Sequence, residues 1–396
     1  MSERFWARAT LIAAFTLAAL NLRPALAGVS PLLNEIRADL GLDAAAGGAI
    51  TTVMVLCLGV LSPLAPVLAR RFGLDRTLLI GLLVLAAGVA LRSADGVWAL
   101  YTGAAVAGTA IAVMNVIMPG VVKERFPDRI GLFTGVYVSA LVAGAAAGSA
   151  LMVPLEEAYG WRVAAGSAAV LALLAAALWF PQVRPGGMPD TGVARGRYRR
   201  ILGRRVTWYV TGFLGVQSMT FYLMLAWLPT IFRDAGLSAV DAGNLLGLTN
   251  FCQIAATLLM PQIAARARSQ AWHAVLSTVL TGAGFTAILV APTTTPWLWM
   301  IVLGLGQGST ISLALLIITL RAPDPASVTA LSAVAQSMGY VFAAAGPVLI
   351  GLIHGVTGDW VVPLSVAIGL SVVQLVFGAL AGRPAAESAP RVSVSS

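Results

Sequence analysis

Arg23 stands inside a long apolar run, Ala9 to Leu33, directly before Pro24. It follows Arg8 by 15 residues, about 22 Å along a helix rising about 1.5 Å per residue, which is far enough to enter a bilayer. A guanidinium at such depth costs on the order of 2.5–3.5 kcal/mol and normally faces a water-filled cavity or a partner. All sixteen acidic residues fall in loops, tails or at the ends of apolar runs, so no carboxylate is placed to neutralise it. One reading gives the negative charge to an occupant of the cavity, held by a planar fork of N–H donors. The competing reading has Arg23 snorkelling outward or capping carbonyls, including one freed by Pro24. Neutral polar side chains fall at compatible depth: Asn21, Asn115, Gln217, Tyr222, Gln307, Gln336 and Tyr340. Gln336 and Tyr340 are four apart and share a helix face. These amides and phenols are candidate donors around a small anion, and equally candidate bonds between helices.

The elements that position them are membrane helices. Of 396 residues, 59% are hydrophobic and 10% charged, against about 25% charged in a soluble domain. Apolar runs of about 20 residues cross a bilayer, and twelve are present, near 9–31, 46–69, 77–94, 97–122, 130–153, 161–180, 206–230, 240–263, 272–291, 296–320, 327–353 and 360–381. Too little polar chain is left for a large soluble catalytic domain. Residues 1–27 imitate a secretory signal with Arg4, Arg8 and Ala25-Leu26-Ala27, but removing them would leave an odd number of spans, so they are read as part of span 1.

The net charge of +9 and pI near 10.4 invite a nucleic-acid reading. Alternating the loops with the N-terminus inside puts 20 of the 25 basic residues on one side, counting both tails. Arg37, Arg92, Arg162 and Arg233 fall to the outer loops. That bias is the positive-inside rule, and it predicts both termini in the cytoplasm, the lipid bilayer as the main partner and no nucleic acid. Cys57 and Cys252 sit in apolar runs as small thiols, and no metal or cofactor is expected. His273 and His354 fall at helix ends, which leaves a coupling proton without an obvious relay. The sole lysine lies in Val122-Lys123-Glu124, so the Gly-Lys-Ser/Thr of a nucleotide-binding loop is absent. Neither a nucleophile with its base nor an added signalling domain is visible; the chain is read as no enzyme.

An offset of 195 superposes Asp39 on Asp234, Gly41 on Gly236, Leu42 on Leu237, Gly48 on Gly243 and Cys57 on Cys252. Ala145-Ala146-Ala147-Gly148 before Trp161 is echoed by Ala343-Ala344-Ala345-Gly346 before Trp360. The organisation predicted is a six-helix half over 1–180, a basic cytoplasmic linker over 181–205 with seven arginines and one aspartate, a second half over 206–381 and a flexible tail over 382–396. An all-α membrane protein of twelve transmembrane helices in two pseudo-symmetric six-helix halves is the major facilitator plan, with its site between the halves near the midplane. Allowing for a gap near the two prolines, the offset places Phe221 or Tyr222 roughly opposite Arg23. A monomer is expected.

The chain also resembles the cyanate and 2-nitroimidazole transporter family of the major facilitators over nearly all of 9–380. The resemblance rests on Asn21-Leu22-Arg23-Pro24 with Pro31-Leu32-Leu33, on Gln217-Ser218 with Phe221-Tyr222 and Ala226-Trp227-Leu228-Pro229, and on Ala335-Gln336-Ser337-Met338-Gly339-Tyr340 with Gly346-Pro347. The general facilitator loop after span 2 is recognisable as Arg70-Arg71-Phe72-Gly73 with Arg76. Arg70 occupies its usual acidic position, which departs from the common gating ion pair. The glycines of span 5, Gly135, Gly144 and Gly148, resemble an antiporter motif in which Ser149 replaces the usual proline. The resemblance implies a bacterial inner-membrane secondary transporter of small anions, cyanate-like or small carboxylates, or alternatively an exporter of neutral nitroimidazole-like or drug-like molecules. Pro24, Arg70, Arg71, Arg76 and Trp227 are then gating or structural candidates.

Overall fold

The structure is a computed structural model describing residues 2–184 and 199–384; residues 185–198 of the predicted linker and 385–396 of the predicted tail lie outside the described residues. Among the described residues eleven helical segments are long and apolar enough to cross a membrane, and a bent pair, Ala49–Val60 with Leu64–Phe72 at 63°, makes a twelfth crossing. Only helices and closed barrels satisfy every backbone group in hydrocarbon, and helices are what these all-round apolar segments form.

Span 1 is broken. It begins as Ser2–Leu20, turns through Asn21–Arg23, and resumes as Pro24–Ala27, a 3-10 turn Ser30–Leu32 and Leu33–Leu40. The helix interruption follows from Pro24, which has no N–H to donate and disfavours helical backbone at the residue before it. Span 2 is the bent pair, starting at Ala44, and span 3 is Leu74–Arg92. Spans 4 to 6 are Val97–Arg125, Ile130–Tyr159 and Trp161–Trp179. Spans 7 to 9 are Arg205–Asp234, Ala239–Ala265 and Ala271–Val290, and spans 10 to 12 are Pro296–Arg321, Pro325–Thr357 and Val361–Ala381.

Several spans outrun their predicted bounds. Span 1 continues to Leu40 rather than ending at 31, span 5 to Tyr159 rather than 153, and span 7 to Asp234 rather than 230. Apolar composition marks only the part inside hydrocarbon, whereas helical hydrogen bonding persists into water. A second correction concerns Arg92. Rather than lying in an outer loop, it is the last residue of span 3 and only 3% exposed.

The internal repeat is visible in atomic detail. Gly41 (φ 64°) and Gly236 (φ 97°) end corresponding helices in left-handed backbone, and beside them the Leu42 N–H donates to Arg37 O and the Leu237 N–H to Phe232 O, each at 3.0 Å. These are the backbone bonds of a Schellman stop. Asp43 and Ser238 then cap the next helices, accepting from the N–H of Ala46 and Asp241. Deeper in, a Cβ on Gly108 would meet Met54 and Cys57, and one on Gly304 would meet Thr249 and Cys252. Both contacts join spans two apart at an offset of 195 or 196. Cys57 and Cys252 are free and half-buried.

A clamp recurs at the linker-side end of each half. In the first, Arg125 of span 4 bonds both carboxylate oxygens of Asp75 at the start of span 3 and the carbonyl of Gln182 after span 6. In the second, Arg321 of span 10 donates to Gln270 Oε1 at 2.9 Å and to the carbonyls of Ala381 and Gly382 after span 12. Position for position, the buried carboxylate of one half is a neutral amide in the other.

Candidate functional site

Arg23 sits where span 1 is broken and reaches across to the other half. Its Nη1 donates to the Tyr222 hydroxyl of span 7 at 3.1 Å, and its Nη2 donates to the Tyr340 hydroxyl of span 11 at 3.4 Å. Among the described residues no carboxylate forms an ion pair with it; the ion pairs found are Arg125 with Asp75 and Arg162 with Asp39 and Asp95. Its two side-chain partners are therefore phenol hydroxyls rather than carboxylates. A hydroxyl that accepts from Arg23 has its own O–H free to point elsewhere. Two such donors beside a cationic fork are the groups that could serve one small negative group.

Tyr137 of span 5 belongs with them. It is 1% exposed and lies within electrostatic reach of both Arg23 and Tyr340. Sequence reasoning passed it over because a single tyrosine among alanines and valines has no spacing signal. Its depth, close to that of the small residues of span 5 that approach span 1, was the available clue.

Small residues are what let the broken segment sit so near span 5. A Cβ on Gly144 would meet the Leu20 carbonyl oxygen at 2.3 Å, and one on Gly148 the Pro24 Cα at 2.7 Å. These glycines act here as seats for the turn that carries Arg23.

The other predicted site residues divide into three groups. Gln217 and Gln307 bond each other, Nε2 to Oε1 at 3.3 Å, and Gln307 donates onward to Thr220 Oγ1 at 3.0 Å, a buried amide network within the second half. Gln336 crosses the halves, donating to the main-chain oxygen of Asn115 at 3.1 Å and to Ser332 Oγ at 2.8 Å. The Asn115 side chain is 1% exposed, and neither its Nδ2 nor its Oδ1 has a partner. Asn21 donates to the Leu17 and Leu171 carbonyls at 2.8 and 3.3 Å, tying the break in span 1 to span 6.

Trp227 donates to the Pro347 carbonyl at 2.9 Å and packs on Trp360, fixing span 7 to span 11 and to the start of span 12. Arg70, Arg71 and Arg76 are exposed on the linker side. The buried ion pair of that region is instead Asp75 with Arg125. A further inter-half contact was not anticipated. Lys123 of span 4 donates to the carbonyls of Thr319 and Ala322 at 3.1 and 2.5 Å, at the end of span 10, with Asp324 adding electrostatic attraction. A cation there meets the unsatisfied carbonyls and negative pole of a helix C-terminus.

Other bonds between the halves lie at or on the linker side of Arg23. Ser337 donates to the Gly59 carbonyl at 2.6 Å, and Ser139 shares a 2.8 Å bond with Thr257.

This arrangement of two six-helix halves around a central cation defines a class, and comparison agrees with it. The Major Facilitator Superfamily profile matches residues 9–347. The chain is 38% identical over 378 residues to the 2-nitroimidazole transporter of Escherichia coli K12, covering 95% of this chain and 96% of the relative. It is 28% identical over 373 residues to the cyanate transport protein CynX of the same strain, covering 93% and 97%. Among solved structures, the proton:xylose symporter XylE superposes with a TM-score of 0.75 at 14% identity, covering 94% of both chains. FucP in its outward conformation gives 0.75 at 15%, covering 94% and 99%.

The chain belongs to the Major Facilitator Superfamily, in its cyanate and 2-nitroimidazole transporter family. It is a multi-pass membrane transporter.

Proposed function

We propose that the chain is a secondary transporter carrying a small planar anion, cyanate-like or a small carboxylate, across a bacterial inner membrane by alternating access. The observation that supports this most is Arg23, a cation between the halves, held by the hydroxyls of Tyr222 and Tyr340 and paired with no carboxylate among the described residues. Rocking of two repeat-related halves about a site between them is how such transporters expose it to each side in turn. The Lys123, Gln336, Ser337 and Ser139 contacts join the halves on the linker side, which supports access to the site from the opposite side.

A second reading, transport of a neutral nitroimidazole, draws support from the 38% identical relative of that name. A nitro group also offers two coplanar oxygens to a guanidinium fork, and tyrosine faces suit a flat ring.

Thermal unfolding of purified protein with sodium cyanate, sodium benzoate and 2-nitroimidazole separates the two, because a ligand of the folded state stabilises it by about 2.7 kcal/mol at a hundredfold excess over Kd. The melting temperature should rise with an anion. A rise with 2-nitroimidazole alone selects the second reading, and no rise with any probe rejects both.

The same proposal puts both termini and the linker in the cytoplasm, where the basic residues collect. A reporter enzyme active only in the periplasm should be silent when fused after Arg200. Activity there would reverse the orientation.

A further inference from the structure

We propose that Arg92 is a positioning residue for the transport site, holding the broken segment of span 1 in the shape that presents Arg23. Arg92 is a second buried guanidinium, paired with no carboxylate among the described residues. Its Nη1 donates to the Ala25 carbonyl at 2.6 Å and contacts Met54 Sδ at 3.7 Å, while its Nε has no partner.

That carbonyl is one the helix break releases. Val29, which would serve Ala25 in a regular helix, donates instead to Leu26 O, and Gly28 and Ala27 donate to Pro24 O and Arg23 O. A buried main-chain oxygen left unpaired is costly, and Arg92 supplies the missing donor to the buried Ala25 from another span. The Arg92 backbone is itself fixed: a Cβ on Gly103 of span 4 would lie 2.3 Å from its nitrogen. Ala25 is two residues from Arg23, so the anchor acts next to the site.

The internal repeat isolates the effect. Gly88 packs on Ala107 as Gly284 packs on Leu303, an offset of 196 between spans 3 and 4 and spans 9 and 10. The same offset carries Arg92 onto Ile288, a buried apolar residue. Span 7, the counterpart of span 1, is continuous from Arg205 to Asp234. The arginine is present in the half whose first span is broken and is replaced in the half whose first span is intact.

The inference rests on Arg23 being the ligand-binding cation, and hydrogen exchange keeps the two claims apart. In purified Arg92→Met protein the amides of Leu26, Ala27 and Gly28 should exchange about tenfold faster than in wild type, while spans 3 and 4 keep their protection. Arg92→Lys, which keeps a donor, should restore the wild-type rate. Unchanged exchange in Arg92→Met, or a uniform loss of protection along spans 3 and 4, overturns the proposal. Should Arg92→Met not fold, Arg92→Leu, which also lacks a donor, is measured against the same criterion.

With sodium cyanate or 2-nitroimidazole as the probe, Arg92→Met should weaken binding by at least about tenfold, since small misplacements at a site have effects of this size. Combined with Arg23→Lys it should add less than about twofold, because both substitutions act through one guanidinium. Full additivity would make Arg92 merely structural. If neither probe binds wild type, the reading of Arg23 fails, and the exchange result still decides what Arg92 holds.

Discussion

Purified Arg23→Ala protein is expected to fold and to bind no anionic ligand measurably. A guanidinium offers an anion two charge-assisted hydrogen bonds, each worth about 1.5–3 kcal/mol, so their loss corresponds to roughly a hundredfold to ten-thousandfold in affinity. Arg23→Lys keeps the charge and loses the planar fork, and should bind between these extremes. Its contacts make the comparison informative, because Arg23 bonds only phenol oxygens of Tyr222 and Tyr340. Deleting it strands no charge, which favours a folded variant. Tyr222→Phe and Tyr137→Phe should each weaken anion binding by less than Arg23→Ala, since a neutral donor contributes about 0.5–1.5 kcal/mol. Gln217→Ala should chiefly affect stability, because Gln217 is satisfied by Gln307 within its own half. Titration by calorimetry or melting shifts measures each case, and undiminished affinity in Arg23→Ala would pass the lead to the neutral nitroimidazole reading.

The parts of this molecule that the sequence discloses are those governed by composition and period. Twelve apolar runs, a charge bias and an offset of 195 are enough to reach the fold, and with a gap allowed near the two prolines they bring Phe221 or Tyr222 opposite Arg23. What stays hidden depends on which atoms face which. Arg92 follows an apolar run and precedes Ser93, Ala94 and Asp95, so counting places it in a loop, although the close approach of Gly103 draws it into the protein. Gln217 and Gln307 stand as ligand donors in a list of polar residues, and no spacing announces that Gln217 donates to Gln307 and Gln307 to Thr220. Asn115 shows the reverse: its main-chain oxygen is used by Gln336, and its side-chain amide is left without a bond. Pro24 carries a legible warning that the helix fails near it, but not where the freed carbonyls find donors.

The largest change in stability is expected at Asp75. Its pair with Arg125 is buried, with side-chain exposures of 7% and 4%. Trp179 Nε1 donates to the Asp75 carbonyl at 3.0 Å, and the Arg184 N–H to its carboxylate at 3.3 Å. Removing one member of a buried pair leaves the other charge uncompensated, a loss of about 3–5 kcal/mol. Asp75→Ala should therefore lower the melting temperature steeply, as read by the loss of monodisperse protein on heating in detergent. The second half indicates which replacement is tolerated. There Arg321 is held at the equivalent place by Gln270 and two carbonyls, and forms none of the ion pairs found among the described residues. Asp75→Gln should accordingly lose well under half of what Asp75→Ala loses, because an amide oxygen can accept from Arg125 while the Gln182 carbonyl continues to do so. Asp75→Ala with Arg125→Met should recover part of the loss, since an apolar pair is often no worse than a buried ionic one. Equal melting temperatures for Asp75→Ala and Asp75→Gln would mean that the charge itself is required in this half, and that the two clamps, though superposable, are held by different forces.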